Sequence, residues 1–163
     1  MNLIVGSQSR LTQVVIDGEA LTRLSSLQTA DRDQAVRDLA AESSFRPAGR
    51  AAIGGPFILH LSIQEGRLVL DIRTTQDEPL VAFGLALGPF RSLIKDYGLL
   101  VDSYEKAVEE GREARIQAID MGRRGLHNEG ASLLLERLKG KVEMDLPTAR
   151  RLFTLLCVMH QRA

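Results

Sequence analysis

The chain predicts an α+β fold, an antiparallel β meander packed by C-terminal amphipathic helices, on three observations. Apolar Phe57, Leu59, Leu61 and Ile63 alternate against Ile58, His60 and Ser62, and the pattern resumes through Leu68, Leu70 and Ile72, with Glu65-Gly66 between the runs. That is the period of half-buried strands joined by a two-residue hairpin turn. From Phe90 the period changes, and Leu93, Ile94, Tyr97, Leu100, Val101, Tyr104 and Val108 recur at helical spacing. A third apolar stripe, Ala149, Leu152, Phe153, Leu156 and Met159, follows a helix-start signal at Asp145 and Pro147.

Taken in order, residues 1–10 are expected to be a loose tail. Leu11 to Asp17 is β-branched enough for a first strand, with Asp17-Gly18 as its turn. Asp31 is expected to cap a helix from Arg32 to Glu42 with Ala35, Val36 and Leu39 inward. The stretch 46–56, holding Pro47, Gly49, Gly54 and Gly55, reads as a loop. Residues 57–87 form the meander, its third strand Leu80 to Leu87 following the break at Asp77, Glu78 and Pro79. An exposed apolar sheet face is costly, so the helical half, 89–160, is expected to cover it. Glu109 to Gly111 ends the first of its helices, and Lys139-Gly140-Lys141 turns the chain into a short extended segment, Val142 to Met144. The whole chain, 1–163, is read as one domain.

Composition narrows the function classes. The 21 basic and 21 acidic residues cancel, so no global field recruits nucleic acid or a membrane. One cysteine, Cys157, sits in an apolar run, which excludes an intrachain disulfide and reads as a small buried hydrophobe. No signal peptide or membrane-spanning run is present, and a cytoplasmic location is expected.

The chemistry concentrates in Asp120 to Ala131, DMGRRGLHNEGA. Ile116, Ile119, Leu126, Leu133, Leu134 and Leu138 keep a helical period through it, yet Arg123, His127 and Gly130 fall on the same face. Each of Gly122, Gly125 and Gly130 costs a helix about 1 kcal/mol relative to alanine. A continuous helix is the preferred reading, with RRGLHNE as a loop the alternative.

A guanidinium on the apolar face must find a partner. Arg123 either forms an internal ion pair or joins Arg124 in an anion site, extended by Arg150 and Arg151 if the last helix packs nearby. His127, one turn from Arg123, is expected to be held neutral by that cation. It is either a structural hydrogen-bonding group or a general base. Glu129, two residues on, points to another helix face, which weakens a His-Glu dyad; Asn128 and Glu129 are kept as supporting candidates. His60 and His160 have no ligand-like spacing to His127, so no metal and no cofactor is expected. Lys139 and Lys141 join the arginines in a basic half that allows RNA, but no exposed aromatic run accompanies them.

DMGRRGLHNEGA, the following LLERLKGKVEMDLPTARRLFTLLC and the preceding PFRSLIKDY together resemble the uncharacterised protein family UPF0262. The likeness runs strongly from about Pro89 to His160 and more loosely back to the hairpin, with departures from the family pattern at Ser43 and Gly98 and an individual loop from Arg46 to Gly55. The resemblance implies a bacterial, cytosolic protein with a lean toward translation, and carries no catalytic residues over. The leading expectation is a non-catalytic binding or interaction domain with an anion- or partner-binding surface at Arg123, Arg124 and His127. The alternatives are an enzyme on a phosphorylated or carboxylated small molecule with His127 as general base, and an RNA- or ribosome-associated factor. A homodimer stays open, since Leu155 and Val158 widen the apolar face of the last helix.

Overall fold

The computed structural model describes residues 8–17, 24–49 and 54–160. The elements run β1 (Leu11–Ile16), α1 (Ser26–Ala41), β2 (Phe45–Pro47), β3 (Phe57–Gln64), β4 (Arg67–Arg73), β5 (Pro79–Ala86), α2 (Arg91–Glu109), α3 (Glu113–Arg137), β6 (Val142–Met144) and α4 (Leu146–Met159). A 3-10 turn, Gly88–Phe90, places Pro89 just ahead of α2.

The α+β class holds, and β3, β4 and β5 form the antiparallel meander. Glu65 and Gly66 both have positive φ, 51° and 74°, the twist that a two-residue hairpin requires. Leu59 and Leu61 lie opposite Ile72 and Leu70, and all four are buried. The meander is extended by β1, which pairs parallel to β3, giving the order β1-β3-β4-β5. A parallel pair needs a long crossover, and α1, packed on β1, lies in it.

Two local expectations differ from the structure. Ser9 and Arg10, placed in the tail, give their carbonyls to the amides of Phe45 and Phe57, while residues 1–7 lie outside the described ones. Gly18, expected to complete a turn with Asp17, also lies outside them. Arg46 and Pro47, placed in a loop, belong to β2, which pairs antiparallel to β6 through Phe45–Met144 and Pro47–Val142. Thr148, fully buried, accepts the Ser44 amide at 2.9 Å and ties this small ladder to α4.

The first helix also starts earlier than Asp31. Ser25 is its cap: the Ser25 hydroxyl accepts from the Gln28 amide and the Gln28 side chain accepts from the Ser25 amide. This reciprocal S-x-x-Q box satisfies two orphan donors at once and outcompetes Asp31, which therefore sits inside the helix.

Helix α3 is continuous from Glu113 to Arg137. Of its glycines, Gly130 answers to packing: a Cβ there would overlap the ring of Phe153 on α4. At Gly125 a Cβ would meet nothing, and at Gly122 only Leu100 at 3.7 Å. Gly130→Ala should therefore lose about 2 kcal/mol, overpacking of roughly 1–3 kcal/mol outweighing the gain in helix preference. Gly125→Ala should gain up to about 1 kcal/mol. Urea unfolding of the two variants checks this, and equal stabilisation by both would contradict the close helix contact.

Helix α4 is buried over most of its surface, with Arg150, Arg151 and Thr154 half-exposed. Ala149, Leu152, Phe153, Leu156 and Met159 point inward as expected, but Leu155, Cys157 and Val158 are also 0 % exposed. Its neighbours α1 and α3 cover it, so Leu155 and Val158 pack within the chain and are not offered to a twin subunit. No helix among the described residues is long and apolar enough to cross a membrane.

Candidate functional site

The close approach of α3 and α4 at Gly130 and Phe153 brings two polar rows together. Arg124, His127 and Asn128 share a face of α3 by their three- and four-residue spacing, and Arg150 and Thr154 do the same on α4. With Arg151 they line a cavity of about 410 Å3. Among the described residues no carboxylate lines it. Arg124, Arg150 and Arg151 thus leave the cavity strongly positive on a chain with no net charge.

Arg123 does not line this cavity. Its Nη1 donates to Asp31 Oδ1 at 2.7 Å, and its Nη2 reaches Asp120 Oδ1 at 3.3 Å. Asp31 takes a second bond on Oδ2, from the Tyr97 hydroxyl at 2.9 Å. One carboxylate thereby joins α1, α2 and α3, and Arg123 realises the internal-pair reading. Burial, with Asp31 next in weight, pushes the Tyr97 hydroxyl's pKa far up, so it stays a donor. Glu129 faces elsewhere, lining a groove between α2 and α3 with Asp96, Leu99, Ser103 and Gly122.

The remaining arginines differ in how far they are engaged. Arg124 is exposed and has no hydrogen-bond or ion-pair partner among the described residues. Arg150 Nη1 donates to Asn128 Oδ1 at 3.0 Å. Arg151 Nη1 donates to the Glu42 carbonyl at 3.1 Å, and its Nε lies 3.7 Å from Asp38. It therefore also closes the C-terminal end of α1, where carbonyls lack helical partners.

His127 forms part of the cavity wall with its ring set between Tyr97 and Phe153, each 6.0 Å away between centroids. Its Nε2 is buried without a partner. Burial, first, lowers its pKa from 6.5 to about 4, opposed by Asp31 and reinforced by Arg123 and Arg150. The neighbouring cation invoked from the sequence is thus a secondary cause. No carboxylate bonds this ring among the described residues, since Asp31 is turned to Arg123 and Tyr97.

A second polar cluster escaped the sequence reading. On the outer sheet face His60 contacts Asp17 (3.3 Å) and Asp77 (2.8 Å), while Arg73 pairs with Asp71 and Asp77. The hydrogen bond with His60, ahead of the charge of Arg73, holds Asp77 below the ordinary carboxylate range. Strand alternation puts His60 and Asp71 side by side, a signal available once the hairpin register is written out. Its role here is to join the end of β1 to the β4–β5 turn.

No solved structure matches the chain. Among curated proteins it is similar to a UPF0262 protein of Granulibacter bethesdensis, 64% identical over 98% of this chain and 94% of that one. A UPF0262 protein of Acidiphilium cryptum is 58% identical over 96% and 95% of the two chains, and one of Maricaulis maris 45% identical over 96% and 97%. The model of the uncharacterised protein family UPF0262 matches residues 8–162. With nearly the whole chain matched, this protein belongs to the UPF0262 family.

Proposed function

We propose that this protein is a non-catalytic cytoplasmic binding domain whose anion-binding surface is the cavity between α3 and α4. Arg124, His127, Asn128, Arg150 and Arg151 form that surface, with Thr154 added. The observation that carries the reading is a cavity of ligand size, about 410 Å3, lined by three arginines and no carboxylate among the described residues. Arg123 supports it from behind by holding α3 to α1.

An enzyme using His127 as general base is disfavoured by two features. The ring has no orienting carboxylate among the described residues, and a pKa of about 4 makes it a weak base at neutral pH. An RNA-binding factor is disfavoured because no aromatic side chain among the described residues is fully exposed for base stacking.

Thermal unfolding in a panel of phosphorylated and carboxylated anions at constant ionic strength tests the reading. Anions that bind only the folded chain stabilise it, and so raise its midpoint, with the logarithm of their concentration once that passes Kd, and Arg124→Gln should reduce the rise. A midpoint that no anion moves, or that moves equally in the variant, overturns the proposal.

A further inference from the structure

We propose that the α3–α4 cavity selects ligands carrying two adjacent phosphoryl groups, a diphosphate, over a carboxylate or a lone phosphate. The inference rests on the anion-binding reading above and deepens it from the inventory of donors left free. A guanidinium has five N–H donors and no acceptor. Arg124 engages none of its donors among the described residues, Arg150 gives Nη1 to Asn128, and Arg151 gives Nη1 to the Glu42 carbonyl.

The neighbouring neutral groups follow from these commitments. Arginine accepts nothing, so Asn128 must turn its oxygen to Arg150, which leaves its amide NH2 free to donate. Thr154 donates its hydroxyl proton to the Arg150 carbonyl at 3.0 Å and keeps only lone pairs. The free groups of the wall are therefore almost all donors, spread over two helices.

A carboxylate is planar, carries one charge and is satisfied by a single guanidinium fork. Bound here it would leave the other arginines uncompensated in a partly enclosed cavity. A lone phosphate removes more of the charge but gathers its oxygens around one centre, whereas the free donors stand on two helices. Two linked phosphoryl groups present oxygens in both directions and carry enough negative charge to match three guanidinium groups. Neighbouring carboxylates supply at most part of that charge: Asp31 is bonded to Arg123 and Tyr97, and Asp38, bonded to Gln34, reaches Arg151 at 3.7 Å.

Calorimetric titration of the full chain with pyrophosphate, inorganic phosphate and acetate at fixed ionic strength tests this. Pyrophosphate should bind at least about tenfold more tightly than either of the others. Arg124→Gln, at an exposed side chain with no partner to lose, should weaken pyrophosphate by about tenfold or more. Lys139→Gln, outside the cavity, should leave it unchanged and so screens out diffuse attraction. Equal affinities for all three anions, still lowered by Arg124→Gln, would overturn the diphosphate assignment and leave the anion site standing. Absence of binding by any of them, or binding indifferent to Arg124→Gln, would overturn both.

Discussion

Asp31→Ala should remove about 3–5 kcal/mol of folding stability, the range for breaking a buried ion pair from one side. The carboxylate is 14 % exposed and Arg123 23 %, so truncation leaves a guanidinium with, among the described residues, Asp120 alone at 3.3 Å for charge. The same change strips the Tyr97 hydroxyl, on a residue that is 0 % exposed, of its acceptor. An unsatisfied buried donor costs about 1–3 kcal/mol by itself. Asp120 and the residual water access of Arg123 keep the expected loss toward the lower end. Urea unfolding should show a lower midpoint at unchanged slope. Adding Arg123→Met to Asp31→Ala should recover part of the loss, because the stranded charge is then gone. A loss below about 1 kcal/mol in the single variant would mean that the pair is a surface contact and does not hold α1 to α3.

Acid should destabilise the protein through His127 by up to about 3 kcal/mol. In the unfolded chain its imidazole takes a proton near 6.5, whereas in the folded chain burial delays this to about 4. Between those values the unfolded state binds more protons, so stability falls as pH falls. The contribution is fully present above about 6.5 and is lost progressively down to about 4. His127→Phe, which keeps an aromatic ring against Tyr97 and Phe153, should flatten the stability profile in that window. Carboxylates titrate in the lower part of it in both proteins, so the difference between the two curves isolates His127. Parallel curves for wild type and variant would show that the ring is as accessible to protons folded as unfolded.

Both effects involve residues that the sequence singled out in part. Arg123 and His127 stand out because they interrupt an apolar stripe, and a stripe is a local property. Asp31 was placed wrongly, as a cap, although the capping box at Ser25 and Gln28 was written in the chain. Once that box is recognised, Asp31 falls in the second turn of α1, but nothing local says that its carboxylate meets a guanidinium 92 positions later. The grouping of Arg124, Asn128, Arg150 and Arg151 was legible only as a condition, that the last helix pack nearby. Gly130 against Phe153 fulfils that condition.

What the amino-acid order by itself determined is the set of periods and punctuation marks: the hairpin at Glu65-Gly66, the helical runs of α2 and α4, and the signals at Pro89, Gly111 and Asp145. These depend on neighbours within a few residues, where backbone sterics and side-chain spacing act directly. The tertiary structure alone decided that β1 runs parallel beside β3, that α4 is buried over all its apolar stripes, and that Arg123 is engaged while Arg124 has no partner among the described residues. Such choices rest on which distant groups meet after the core closes, and burial then sets the strength of each charge and the protonation of each ring.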